Sequence, residues 1–277
     1  MGAFLFSLSV TTGAGAADVR PNNETSEIRF GSVAMNVPAE MHQRLKPLTQ
    51  YLSTELGRPV TLKLSPDMPA AIKDVSTGAV DLAYLTPVAY ISANAQGHTK
   101  LVVKTLTGGK STFQLAIAVK ATSDIKTVAD LAGKRFAFGD KAALLQRAVV
   151  IGAGLPLERL ADYQFIGHYE NIARGVMNGD FDAGILKDTV ANEWEKKGLR
   201  IIHSSPDLPP YNIVASQDVD DDTRKRIEQA FLKLKIDNPE HAQIIRALDA
   251  SYTGFSSTSD SDYDVVRHLI KPFAKGS

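Results

Sequence analysis

The chain has 277 residues, 31 Lys plus Arg against 31 Asp plus Glu, a formal net charge of zero and no cysteine. The charge balance argues against a nucleic-acid binder, which carries a basic excess. The lack of cysteine excludes thiolate catalysis, disulfides and thiolate-bound metals. The length allows two domains of ordinary size, and a 44% hydrophobic content can fill a core in each.

Phe4 to Val10 is a short apolar run, and Ala14-Gly15-Ala16 has the small residues of a cleavage site. Residues 1–17 are therefore expected to be a secretory signal cut after Ala16 or Ala17, although no Lys or Arg precedes the run. The run is too short to span a bilayer. Residues 18–26 are polar and read as a leader.

Ile28 to Val33 alternates as a strand. Met41, Leu45, Leu48, Leu52 and Leu56 recur at helical spacing, with Pro47 expected to kink or split that helix. Strands follow at Val60–Leu64 and Asp81–Leu85. Between them lies a helix capped by Asp67, with Pro69 in its first turn. Pro87 opens a further helix that stops near Gly97, before strands at Leu101–Leu106 and Phe113–Val119. The second half repeats the plan. Strands are expected at Arg135–Phe138, Tyr163–Ile166, Asp182–Leu186, Leu199–His203 and Tyr211–Ala215, with helices between them. Asp222–Ile236, Pro239–Leu248 and Tyr263–Ile270 read as closing helices, with a polar loop before the last. This βαβα order implies mainly parallel sheets with helices on both faces.

Thr77 to Ala83 matches Asn178 to Gly184: a helix end, a glycine stop, an Asp, then a small-residue buried strand. A helix C-terminus commonly takes a left-handed glycine. Two copies suggest two similar α/β lobes.

The stretch Gly133 to Gln146 runs from a strand through Gly139-Asp140 into a helix. Such a turn aims backbone N–H groups and the positive end of a helix dipole at one spot. It is equally the ordinary βα turn of a parallel sheet. No H-x-H, H-E-x-x-H or G-x-S-x-G spacing occurs, so neither a metal site nor a serine hydrolase is indicated. The run Asp218-Asp220-Asp221-Asp222 reads as helix capping.

Gly78-Ala-Val-Asp-Leu-Ala-Tyr-Leu-Thr-Pro-Val-Ala-Tyr90, Asp130-Leu-Ala-Gly-Lys-Arg-Phe-Ala-Phe-Gly-Asp140, Gly167-His168, Gly179-Asp-Phe-Asp-Ala183 and Ser205 to Pro209 together resemble the periplasmic solute-binding proteins of the phosphate/phosphite/phosphonate ABC importers. The resemblance runs from about Ile28 to Pro272. It implies a type II periplasmic-binding-protein fold: an α/β fold of two lobes with two extended crossings, the first after Phe113–Val119 and the second through Leu208–Tyr211. On this reading residues 27–117 with 213–277 form lobe 1, residues 118–212 form lobe 2, and the closing helices return to lobe 1. The resemblance further implies a small-molecule ligand, anionic or neutral, captured for a permease in the periplasm, with no cofactor, no nucleic acid and a monomeric chain. A ligand-sensing module for a membrane kinase and an enzyme on the same fold are the alternatives.

The resemblance places the loop after Phe138-Gly139-Asp140 at the ligand. Phosphonate binders carry a hydroxyl cluster there, whereas this chain reads Lys141-Ala142-Ala143-Leu144. Backbone amides, the helix dipole and Lys141 remain. His168 matches a pocket histidine, which could donate a hydrogen bond to the ligand. Leu85 stands where those binders offer an aromatic hydroxyl, and Lys187 and Tyr211 fall in the stretches Leu186-Lys187-Asp188-Thr189 and Pro209-Pro210-Tyr211, where the acids that would hold an ammonium group are not evident. The pocket should be more apolar than that of an aminophosphonate binder, with phosphate, phosphite and 2-aminoethylphosphonate bound poorly. Asn36 is either a ligand contact or a helix cap. Tyr84, Leu85 and Thr86 end a strand at the edge where open α/β sheets hold ligands, and Tyr84 is alternatively core. Tyr211 either packs the hinge or stacks on ligand.

Overall fold

The computed structural model describes residues 27–33 and 38–276. The signal-like segment and Asn36 lie outside these residues. The elements run β1 (Ile28–Val33), α1 (Pro38–Leu56), β2 (Val60–Ser65), α2 (Met68–Ser76), β3 (Leu82–Leu85), α3 (Pro87–Gly97), β4 (Lys100–Thr107) and β5 (Leu115–Lys120). They continue with β6 (Arg135–Phe138), α4 (Leu144–Gly152), β7 (Asp162–Phe165), α5 (Tyr169–Asn178), β8 (Ala183–Lys187), α6 (Asp188–Glu195) and β9 (Leu199–Ser204). The chain closes with β10 (Asn212–Ala215), α7 (Asp221–Lys233), α8 (Pro239–Arg246), β11 (Tyr252–Ser256) and α9 (Asp264–Ile270).

Two sheets form, ordered β11-β4-β10-β3-β1-β2 and β7-β6-β8-β5-β9. In the first, β1 is parallel to β2 and β3, while β10 is antiparallel to both β3 and β4. In the second, β6 is parallel to β7 and β8, while β5 is antiparallel to both β8 and β9. The orders β2-β1-β3-β10-β4 and β7-β6-β8-β5-β9 therefore correspond strand for strand, and β11 is an addition at one edge. Most strands share one direction, as the βαβα order requires, but the hydrogen-bonded pairs are mixed. The physical reason is the route of the chain. β10 and β5 have each just arrived from the other sheet. They enter at the edge where their neighbours end, Asn212 opposite Leu85 and Leu115 opposite Lys187, and so run backwards between them.

This corrects the first crossing, which precedes β5 instead of following it. Leu115, Ala116, Ile117, Ala118 and Val119 are buried on both faces of the second sheet. A continuous apolar run reads the same whichever sheet receives it. The second crossing contains Leu208 to Tyr211, as expected. The two crossings are bonded to each other: Phe113 N–H donates to the Leu208 carbonyl at 3.0 Å and Leu208 N–H donates to the Phe113 carbonyl at 2.8 Å.

Local chemistry sets the helix ends. Asp67 caps α2 by accepting from Ala70 N–H at 2.8 Å, and Thr86 caps α3 by accepting from Ala89 N–H at 3.1 Å, each with a proline in the first turn. α1 runs unbroken through Pro47, so of the expected kink or split the split does not occur. Its buried stripe of Met41, Leu45, Leu48, Leu52 and Leu56 outweighs the one backbone bond that a proline forfeits. Each such side chain contributes roughly 1.5–3 kcal/mol on burial. The stretch expected as a polar loop before the last helix contains β11, antiparallel to β4. Its sequence Tyr-Thr-Gly-Phe-Ser hides a strand because only Tyr252 and Phe255 are large and apolar, and the register shifts between Tyr252 and Gly254.

One core joins the first sheet to α1, α7 and α8 through Leu45, Leu52, Phe231 and Ile245. Another joins the second sheet to α4 through Phe136, Phe138 and Val149. The closing helices divide between them. α7 and α8 pack on α1 and the first sheet, whereas α9 inserts Val266, fully buried, into the core of the second sheet and also meets α3.

Candidate functional site

The carboxyl ends of β3, β6 and β8, together with both crossings, converge on one edge of each sheet, the position at which open α/β sheets hold ligands. From the first sheet come Tyr84 and Tyr252, whose hydroxyls meet at 2.6 Å. Tyr211, on the second crossing, stacks on Tyr84 with ring centroids 4.9 Å apart and planes at 26°. Burial pushes the Tyr84 phenol well above its ordinary range, with Tyr252 and Tyr211 adding to the effect. Burial likewise raises Tyr211, helped by Tyr169, Asp249 and Asp140. Tyr211 thus feels groups from both sheets. At neutral pH these phenols are protonated donors.

On the second sheet, Gly139 N–H donates to Gln146 Oε1 at 2.7 Å, and Gln146 Nε2 donates to the Tyr169 hydroxyl at 3.3 Å. Gly139 is confined to glycine here: a Cβ would stand 2.9 Å from the Gly167 carbonyl and 2.7 Å from Gln146 Nε2. The loop leading into α4 takes part of its own donor capacity. Asp140 Oδ1 accepts from Ala142 N–H at 2.7 Å, and the Asp140 carbonyl accepts from Ala143 N–H at 2.9 Å. The other carboxylates that act on the tyrosines are also engaged by backbone. Asp188 accepts from Gln114 N–H and Thr189 N–H, and Asp249 accepts from Ser251 N–H.

The sequence candidates fall in different places. Tyr84 and Tyr211 come together, and Lys141, Ala142, Ala143 and Leu144 form the exposed to half-buried loop and helix start beside Asp140. Thr86 is engaged as the cap of α3. Leu85 is fully buried in the layer under α2 and α3, because alternation along β3 sends it to the face opposite Tyr84. His168 is exposed at the start of α5, and its side chain makes no cap bond. Lys187 is half-buried, with Nζ 5.7 Å from the Phe113 ring centroid at the first crossing. Tyr169, Gln146 and Tyr252 lie at the same edge and are not singled out by the sequence. Tyr169 adjoins His168 in sequence, which was a usable signal; Tyr252 lay in a stretch read as loop. Among the described residues no group of His, Asp and Glu is placed to hold a metal, and no helix is long and apolar enough to cross a membrane.

Two matched α/β sheets, a paired set of crossings and a polar edge between them define a bilobal solute-binding protein of type II. Residues 30–263 match the family of ABC transporter, phosphonate, periplasmic substrate-binding proteins, and the chain belongs to that family. It is a periplasmic substrate-binding component of an ABC importer. It is 26% identical over 265 residues to the phosphate-import protein PhnD of Mycolicibacterium smegmatis, covering 84% of this chain and 83% of that protein. Its fold is similar to that of a Xanthomonas citri protein bound to ATP (TM-score 0.73, 19% identity, 91% of this chain and 98% of the other). It is also similar to PhnD1 of Prochlorococcus marinus in complex with methylphosphonate (TM-score 0.69, 19% identity, 91% and 100%).

Proposed function

We propose that the chain captures a small oxyanion with an apolar substituent, of the alkylphosphonate class, between two lobes and presents it to the importer. The lobes are the two sheets with their helices, hinged at residues 108–114 and 205–211. The observation that carries this reading is the position of Tyr211. It stacks on Tyr84 of the first sheet and lies within the field of Tyr169 and Asp140 of the second, so a ligand beside it would touch both lobes. Contacts to both sides favour the closed state. Phenol donors and the α4 loop supply hydrogen bonds to an oxyanion, and ring and methyl surfaces from Tyr84, Ala143 and Leu144 supply an apolar wall.

The acids near these tyrosines have part of their acceptor capacity taken up, which weakens their hold on an ammonium group. Asp140, Asp188 and Asp249 each already accept from the chain's own backbone. Isothermal titration calorimetry of the mature protein with methylphosphonate, phenylphosphonate, 2-aminoethylphosphonate, phosphate and phosphite tests the reading. The two apolar phosphonates should bind most tightly. Tightest binding of 2-aminoethylphosphonate, or of inorganic phosphate, would refute it. Transport serves as the role because the family consists of importer components, and a gene deletion that leaves uptake of the bound ligand unchanged would remove it.

A further inference from the structure

The hydrogen bonds at the end of β6 fix the direction of a proton on the far side of the cleft. Gln146 is 5% exposed and lies between two partners. Gly139 N–H can only donate, so the amide atom it meets at 2.7 Å is the oxygen. The other end of the same amide is then the NH₂ group, which can only donate. The Tyr169 oxygen, 3.3 Å away, must accept from it. A phenol that accepts in this way keeps its own proton for a different partner. Among the described residues the Tyr169 hydroxyl donates to no protein group.

Tyr169 is the first residue of α5, at the carboxyl edge of the second sheet, and its ring packs against both apolar layers of that sheet. Ring position and proton direction are therefore both set by the fold before any ligand arrives. We infer that Tyr169 is a ligand-binding residue, an obligate hydrogen-bond donor to an oxyanion, which takes over the role of the hydroxyls missing from Lys141 to Leu145. Gln146 is its positioning residue. The inference rests on the oxyanion reading given above. Burial also raises the pKa of the Tyr169 phenol, against a lowering by the Gln146 bond and with Asp188 adding to the rise, which keeps the proton in place at neutral pH.

The test is a double-mutant cycle read by calorimetry with methylphosphonate at pH 7. Tyr169→Phe keeps the ring and removes the donor, and should weaken binding about ten- to hundredfold, the range for a hydrogen bond to a charged group. Gln146→Glu keeps an acceptor for Gly139 N–H but offers Tyr169 an acceptor in place of a donor. The phenol proton then turns inward. Tyr169→Phe should consequently have no further effect in the Gln146→Glu background. A loss of equal size in both backgrounds would mean that Gln146 does not direct the proton. Equal affinity of wild type and Tyr169→Phe would remove Tyr169 from the site while leaving the oxyanion reading intact. Failure of the wild type to bind methylphosphonate, phosphate or sulfate at all would overturn both. Thermal melts of each variant confirm that the compared proteins are folded.

Discussion

Arg29 and Asp81 hold the start of two neighbouring strands together: the Arg29 backbone N–H, Nε and Nη2 all donate to the Asp81 carboxylate, at 2.7, 2.9 and 2.8 Å. The same guanidinium reaches the Gly78 and Ala79 carbonyls at the end of α2. Arg135 and Asp182 repeat the arrangement in the second sheet, with Arg135 also donating to the Gly179 carbonyl. Gly78 and Gly179 both have left-handed backbone, φ 69° and 85°. The duplicated glycine-then-Asp motif is therefore a clamp, and its physical content is a bidentate guanidinium closing a helix end onto a strand start.

Asp81→Ala should lower stability by about 1–3 kcal/mol, because it leaves a part-buried N–H and a guanidinium without their acceptor. Asp182→Ala should cost less, since Arg135 is more exposed than Arg29 and surface pairs contribute little. Chemical denaturation of both variants checks the order. A larger loss for Asp182→Ala would contradict the exposure argument.

Acid should reveal the contribution of a third ion pair. Lys104 Nζ donates to Asp262 Oδ2 at 2.9 Å, and Thr258 Oγ1 donates to the same oxygen at 2.8 Å. Burial opposes ionisation of Asp262, but these bonds, Ser259 N–H and the lysine charge outweigh it and bring its pKa from 3.8 to about 2. A carboxylate whose folded pKa is depressed stabilises the fold above its unfolded value. That contribution is lost as pH falls from about 4 through about 2. Linkage sets a ceiling of roughly 2.5 kcal/mol, and exposure of a third of the side chain reduces this to about 1 kcal/mol. Thermal melts between pH 5 and 2 should show this loss in wild type and a shallower one in Asp262→Asn. Parallel curves would assign the acid sensitivity elsewhere.

Tyr211 should separate ring from hydroxyl. Tyr211→Phe keeps the stack on Tyr84, and Tyr211→Ala removes it. Loss of the stack should cost about 0.5–1.5 kcal/mol beyond the area lost, felt in ligand affinity on the proposal that the ligand lies beside Tyr211. Calorimetry of the two variants with the tightest phosphonate compares them. Unchanged affinity in Tyr211→Ala would confine the residue to packing of the crossing.

Much of this architecture was legible in the chain. The spacing of Met41 to Leu56, the cap at Asp67 and the glycine stops at Gly78 and Gly179 depend on local chemistry and appear where expected. What escaped depended on partners remote in sequence. Leu115 to Val119 carries no sign of which sheet will receive it, and Tyr252-Thr-Gly-Phe-Ser is a strand only because β4 offers a free edge. At the site, Gly139 and the loop beside it were visible as a strand-to-helix turn. The bond from Gln146 to Tyr169 spans 23 residues, and no periodicity announces it. Leu85 was misplaced because a strand end alone does not say which face a residue takes.

The final helix links the two sheets on one side of the cleft. Its root is held on the first sheet's side, where Tyr90 donates to Asp260 at 2.6 Å and Lys104 pairs with Asp262. Its body packs on α4, where a Cβ at Gly152 would stand 3.0 Å from Leu269 Cδ2. Gly152 sits at the end of α4, so a branched side chain there meets α9 directly. Gly152→Leu should therefore push α9 away and lower stability by about 1–3 kcal/mol, the usual cost of overpacking. Adding Leu269→Ala makes room, and the double variant should recover most of the loss, since residues in contact couple. Denaturation of the single and double variants measures the coupling. Simple additivity of the two changes would show that Gly152 and Leu269 do not share a packing contact. Small-angle scattering of Gly152→Leu should also show a larger radius of gyration than wild type in the presence of ligand, because α9 packs against both α3 and α4.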